Sequence, residues 1–370
     1  MKDTWDRMFF MFLKAYERGE HEMFQPGRRW RRGSVAQAPT DHQKQKEKMK
    51  MKKFVSMILA LVLTMVFASS AFADSVPTIG IAQYGEHASL DNCREGFLQG
   101  LTDAGLTEGK DYEIVYQNAG FDDAIATQIA QGFSAQNVAI MCAIATPCAT
   151  ACFAAAEDKD IPVIFTAITD PVQAHLDEGN ITGTSDKLPV EAQLDLIRKL
   201  QPEAKTIGIL YTTSEPNSVS AIAEYKEKAG DYGFEIVDIG VTAQSEVTQA
   251  TDTLIGKKVD CISNLTDNNV VGVLPSILEK TDEAGIPVYG SEVEQVKLGC
   301  VASAGIDYFE LGRQTGAMAA KVLTGEASAY DMDYETISEY GIYVNYDALT
   351  AKGIELPADV AEKAIDALAE

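Results

Sequence analysis

From Val76 onward the chain alternates short apolar runs with longer amphipathic ones. "TIGIAQ" at 78–83 leads into "DNCREGFLQGLTDAG", whose apolar residues recur at helical spacing, and then into a second β-rich run, "YEIVYQ". The same order returns with "TIGILYT" at 206–212, "VSAIAEYKEKAGDYG" and "FEIVDIGV". Further along, "AIMCAIATPCATA" is matched by "VDCISNLTDNNVV", and "IPVIFTAITDPV" by "IPVYGSEVEQV". Strands alternating with helical stretches predict βαβ units around a parallel sheet. Stated twice, the pattern predicts an α/β protein of two similar doubly wound lobes, over 76–188 and 189–304. A helix over 306–326 is assigned back to the first lobe, and a last piece from about 335 to 370, containing strand-like "YGIYVNYDAL", to the second. A chain that crosses between lobes more than once makes a hinge.

In open parallel sheets, ligands bind beyond the carboxyl ends of the strands. The polar residues there are Gln83, Tyr84, Glu86 and His87; Thr146; Thr166 and Asp170; Tyr211, Ser214, Glu215, Asn217 and Ser218; Asp267 and Asn268; and Glu292. Facing lobes would bring these loops to one cleft. Pro147, Pro171 and Pro216 follow a hydroxyl or an acid, the arrangement of a capped helix start. Read singly, each loop is a cap; several helix N-termini converging on one cleft offer N–H groups and positive dipole ends to a carboxylate. Asp267 and Glu292 are placed to hold an ammonium group, although Asp267 also fits the cap of "NNVVGVLPSILEK". Tyr84, Phe165, Tyr211 and Tyr289, at or near strand ends, are read either as an aromatic wall or as core.

The segment 49–75 changes the picture of the N-terminus. It has a basic start, an apolar run and Ala71-Phe72-Ala73, which predicts an export signal at 49–73 cut after Ala73. The apolar run is shorter than the roughly 20 residues of a spanning helix, so an uncleaved anchor is the lesser reading. Residues 1–48 are read as a start assigned too early, with a short cytoplasmic tail as the alternative. Past residue 73 the chain holds 17 basic against 48 acidic residues, a formal charge of −31, which disfavours nucleic acid as a partner. Its six cysteines, three of them set among Ala and Ile, are read as buried thiols, with one or two disulfides as the alternative in an oxidising compartment. No metal site, cofactor motif or catalytic signature is found; His87, beside Glu86 and Ser89, is the one base near a cleft loop and carries the lesser reading of a secreted enzyme.

Taken in order, "IGIAQYGEHASLDNCREGF", "IATPCATA", "TAITDPVQA", "YTTSEPNS", "TDNNVV" and "YGSEVEQVKLGCVASAGIDYFELGRQTGAMAAKVL" closely resemble the ABC transporter substrate-binding protein family associated with tryptophan and tyrosine uptake, over about 78–356. The resemblance implies a type I periplasmic-binding-protein fold that closes on its ligand. It implies delivery of an amino acid, here expected to be aromatic, to a permease driven by an ATPase; separately, the protein is expected to be a monomer. It also supports Ser214, Glu215, Asn217, Ser218, Asp267 and Asn268 as ligand residues. The lipobox Cys of many Gram-positive relatives is missing, so the protein is expected free at the extracellular face or in the periplasm. A sensor or receptor domain for a branched-chain amino acid or a nucleoside is the alternative.

Overall fold

The computed structural model describes residues 76–337 and 340–369; the export signal and the early start fall outside the described residues. Among the described residues, no helix is long and apolar enough to cross a membrane.

Five parallel strands make the first sheet: β1 (Thr78–Gln83), β2 (Glu113–Asn118), β3 (Ile140–Ile144), β4 (Val163–Ile168) and β5 (Ile181–Ser185), in the order β2-β1-β3-β4-β5. Strands β3, β4 and β5 are buried throughout, as expected of a parallel sheet covered on both faces, whereas β2 at the edge is largely exposed. Helices α1 (Ala88–Asp103), α2 (Asp123–Gln136) and α3 (Thr146–Ala156) cover the sheet around a core that includes Phe97, Phe133 and Phe165.

After α4 (Val190–Leu200), the second sheet is built from β6 (Thr206–Thr212), β7 (Glu235–Val241), β8 (Cys261–Ser263) and β9 (Val288–Tyr289), in the order β7-β6-β8-β9. Each strand stands where its counterpart stands in the first lobe, so the repeat in the sequence is a repeat in topology. β10 (Ala302–Gly305) continues beside β9 through Gly290 N–H to Ala302 O at 2.9 Å and Val301 N–H to Val288 O at 2.8 Å. Its helices are α5 (Pro216–Lys228), α6 (Val247–Gly256), α7 (Asn268–Val271), α8 (Leu274–Glu283) and α9 (Val293–Leu298).

The next helix, α10 (Tyr308–Leu323), packs along α1 at backbone contact. A Cβ at Gly96 would run into the Phe309 carbonyl, and one at Gly312 into that of Cys93, so only glycine allows this approach. The short strand β11 (Glu335–Thr336) then pairs in parallel with β5, with Glu335 opposite Thr184. Here the expectation is corrected: at about 335 the chain is still in the first lobe. Two polar residues carry no periodicity that tells which sheet they extend. The return comes with β12 (Gly341–Val344), antiparallel to β10, followed by α11 (Tyr346–Ala351), α12 (Ala358–Ala361) and β13 (Ala364–Asp366) beside β12. The chain therefore crosses between lobes after β5, after β10 and after β11. All six cysteines are buried and free.

Candidate functional site

Between the lobes lies a cavity of about 20 Å³, room for about one water. Its first-lobe wall includes His87, Ser89, Leu90, Ala167, Asp186 and Tyr308, and its second-lobe wall Thr266, Asn268, Val271, Glu292 and Gln295.

On the first-lobe side, α1 starts at the cavity with His87 as its N-cap residue, and no side chain caps it. The N–H groups of Ala88, Ser89 and Leu90 thus remain unclaimed by the protein. Both ring nitrogens of His87 are out of solvent and lack a partner in hydrogen-bond geometry. Burial pulls its pKa down to about 4, opposed by the facing Asn268 amide and the Asp91 charge. Ala167, on the cavity wall, has φ of 58°, and Ala145 at the end of β3 has φ of 79°. Such conformations are strained for a residue with a Cβ and cluster at ligand sites. Asp186 ends β5; it accepts from the Thr169 hydroxyl at 3.0 Å and from the Tyr308 hydroxyl. Burial raises its pKa, against the pull of those two donors.

The second lobe answers with acids. Glu292 caps α9, accepting from the N–H of Glu294 at 2.6 Å and of Gln295 at 3.1 Å, and from the Ser89 hydroxyl across the cleft at 2.9 Å. Burial nevertheless pushes its pKa up to about 7. Two further interlobe bonds join Thr169 to Thr266 at 3.1 Å and Ser220 to Asp170 at 2.7 Å.

Of the residues singled out in the sequence, the structure brings His87, Asn268 and Glu292 to the cavity. Asp267 is engaged elsewhere: it accepts from Val270 N–H at 2.9 Å, from the Ser218 hydroxyl at 2.6 Å, and from both the N–H and the hydroxyl of Thr212. Glu215 accepts from the backbone and side-chain nitrogens of Asn268 and Asn269 and from Asn217. Thr212, Glu215, Asn217 and Ser218 therefore form a buried clasp that closes the N-terminus of α7 and ties it to α5, while Thr213 and Ser214 between them are exposed. Burial raises the pKa of both acids, and the neighbouring Asp267 charge raises that of Glu215 further.

The others lie around the cavity rather than on it. Gln83 is buried in a bridge to Asp91 and Arg94, and the Tyr84 hydroxyl donates to Asp123. Thr166 bonds Cys93 and Thr184 inside the first lobe, Thr146 is buried without a partner at the uncapped start of α3, and Glu86 is exposed. Asp170 serves the interlobe bond with Ser220. Ser214 lines a separate groove of about 440 Å³, together with Asp123 and Pro147 of the first lobe. The aromatic wall does not form: Phe165 and Tyr289 are fully buried, Tyr84 is bonded away, and Tyr211 packs by Gly240. The rings on the cavity are His87 and Tyr308.

Asp186, Tyr308 and Gln295 also line the cavity without having been singled out in the sequence, and Ser89 is noted there only as a neighbour of His87. Asp186 ends a strand in "ITGTSD" and obeys the strand-end rule as the others do, whereas Tyr308 opens a helix whose start gave no sign that it faced the cleft. Among the described residues, no group of His, Cys, Asp and Glu is arranged to hold a metal ion.

Comparison with known proteins decides the family. The profile of the family described as ABC transporter substrate binding protein matches residues 78–367. The chain belongs to this family. The substrate-binding protein is 39% identical, over 288 residues, to the tyrosine-binding protein of Clostridioides difficile (strain R20291), covering 76% of this chain and 82% of that one. It superposes on the ABC domain in complex with L-Trp from Streptococcus pneumonia with a TM-score of 0.75 at 32% identity, over 79% of this chain and all of the other. Against the ligand-free, open structure of a Clostridium difficile substrate binding protein with adhesive properties, the TM-score is 0.59 at 39% identity, over 79% and 99% of the two chains. The fold is that of the type I periplasmic binding proteins. Like its family, the substrate-binding protein acts outside the cytoplasm, on a small molecule and with a permease; its relatives are binding proteins rather than enzymes.

Proposed function

We propose that the protein captures an L-aromatic amino acid between its lobes and hands it to the permease. The observation that carries this is an opposition of charge preference across one cavity. The uncapped N-terminus of α1, beside the unpartnered His87, faces the buried carboxylate Glu292 of the other lobe, and Asp186 of its own lobe stands on the same cavity wall. An α-carboxylate fits the N–H groups of Ala88, Ser89 and Leu90, and an α-ammonium fits the two acids. Asp267, first considered for the ammonium, gives way to Asp186 because its oxygens are already met by four donors. The side chain would lie against Leu90, Ala167, Val271 and the Tyr308 ring. A cavity of about 20 Å³ has no room for that side chain, so the ligand enters with the lobes parted and shifts the population of closed states by its preference for them. The ligands named for the C. difficile and Streptococcus relatives support the aromatic class.

The segment ahead of the fold supports export through 49–73 with a cut after Ala73. The family supports a permease driven by an ATPase as the partner, and we take the protein to work there as a monomer. Binding without catalysis is supported by the relatives, which are named as binding proteins.

The test is calorimetric titration of residues 74–370, unfolded and refolded to release bound material, with amino acids, their methyl esters and nucleosides. One-to-one binding of Trp, Tyr or Phe, with the esters weaker by tenfold or more, is expected; an energy of about −8 kcal/mol corresponds to micromolar affinity. Equal binding of acid and ester would remove the anion role of α1. Binding only of branched-chain amino acids or nucleosides would overturn the aromatic class.

A further inference from the structure

The loop "NAGFD", 118–122, holds a feature that the binding site does not absorb. Gly120 and Phe121 follow one another in the left-handed region, with φ of 61° and 64°. For a residue as bulky as Phe this is an outlier that persists only where the surroundings impose it. Here they do so at both ends of the residue. The Phe121 N–H donates to the Tyr84 carbonyl at 2.8 Å, and the Phe121 carbonyl accepts from the Tyr84 hydroxyl at 3.3 Å. The same hydroxyl also donates to Asp123 at 2.9 Å, and the Asn118 side chain takes the Gly120 N–H at 2.8 Å. Tyr84 thus fixes the backbone that aims the Phe121 ring.

The ring is aimed across the cleft. It runs parallel to His87, at 10° with centroids 6.4 Å apart, on a residue of the cavity wall. Its edges lie against two glycines, one from each lobe. A Cβ at Gly85, in the loop before α1, would overlap the ring, and a Cβ at Gly272, just after α7, would stand 3.0 Å from its Cζ. Gly272 has φ of −58°, open to any residue, so its fitness for glycine comes from crowding: the Gln244 amide stands nearest to such a Cβ, followed by the Phe121 ring at 3.0 Å and the Asn268 carbonyl at 3.2 Å.

Resting on the reading of the cleft as an amino-acid site, we propose that Phe121 is a gate ring. Carried by the first lobe, it seats in the Gly272 notch of the second and seals the ligand cavity behind His87 when the lobes close. The ring is not itself on the cavity wall, so its action is on closure and escape rather than on direct contact. Tyr84 is its positioning residue, which gives a role to an aromatic that does not reach the ligand.

Two variants test the gate from opposite sides: Phe121→Ala empties the notch, and Gly272→Val, made together with Gln244→Ala to free the amide that stands nearest the new side chain and compared with Gln244→Ala alone, fills it. Ligand dissociation rates are read by stopped flow, and interlobe distances by spin labels on one engineered surface cysteine per lobe, the six native thiols being buried. Both variants are expected to speed dissociation about tenfold, the usual place where such changes appear. Both are also expected to shift the distance distribution toward the open form, with Phe121→Leu intermediate and the melting temperature of the ligand-free protein nearly unchanged. A dissociation rate and distance distribution like wild type in Phe121→Ala would overturn the gate. So would an affinity loss that only tracks a lower melting temperature. If wild type binds no aromatic amino acid, the reading of the ligand fails, while the distance shift in ligand-free protein still decides the gate.

Discussion

At the cavity the first-lobe helix α1 begins without a side-chain cap, whereas α7 and α9 of the second lobe are closed by acids, Asp267 with Glu215 and Glu292; α10, which brings Tyr308 to the first-lobe wall, is capped by Asp307. The two lobes share strand order, so topology alone would make their strand ends equivalent. Capping breaks the equivalence. A free helix start presents donors and a positive dipole end, and a carboxylate at the same place cancels both and adds negative charge. One lobe thereby gains a preference for anions and the other keeps its acids, with Asp186 at the hinge end of the first lobe adding a second carboxylate to the cavity. A zwitterion bound between them has one favoured orientation, which a symmetric pair of lobes would not impose.

The comparison is broken most severely by removing the acid at the hinge. Asp186→Ala is expected to cost about thirtyfold or more in affinity by calorimetry, since truncating a buried charge partner typically costs about 2–5 kcal/mol. Asp267→Ala should separate from it, lowering stability by about 2–4 kcal/mol in urea unfolding because Thr212, Ser218 and Val270 lose their acceptor. If Asp267→Ala left stability intact and abolished binding, the division between clasp and site would fall.

The two sides should also answer pH in opposite directions. His87, lowered in the folded chain to about 4 from 6.5, contributes stability that is present above pH 6.5 and lost as pH falls through 4. Glu292, raised to about 7 from 4.5, contributes stability that is complete below pH 4.5 and lost as pH rises through 7. Unfolding midpoints between pH 4 and 8 should therefore lose part of their acid limb in His87→Gln and part of their neutral limb in Glu292→Gln. The smallest effect is expected from Ser220→Ala, which removes one interlobe bond to Asp170 and should weaken binding about twofold to fivefold, in line with a net hydrogen bond of about 1 kcal/mol or less.

The sequence made the lobes legible because their central strands are apolar throughout and their order is stated twice, from "TIGIAQ" and from "TIGILYT". It left β11 unreadable, since a two-residue polar strand has no period. Strand-end logic picks out Glu292, which stands on the interlobe cavity, but it does not distinguish a carboxylate that caps its own helix out of the cavity, as Asp267 does, from one that caps and still faces it. Whether a strand-end ring points at core or ligand depends on the sheet face, and Phe165 and Tyr289 went to the core. Phe121 left no signal at all, because its left-handed backbone is imposed by Tyr84 from 37 positions earlier.

The orientation of the bound zwitterion tests the central claim most directly, through a crystal structure of residues 74–370 with L-Tyr or L-Trp. We expect the ligand carboxylate within hydrogen-bond distance of the Ala88, Ser89 and Leu90 N–H groups, and its ammonium on Asp186 or Glu292. A carboxylate turned instead to the start of α7 or α9 would contradict the division of labour between the lobes.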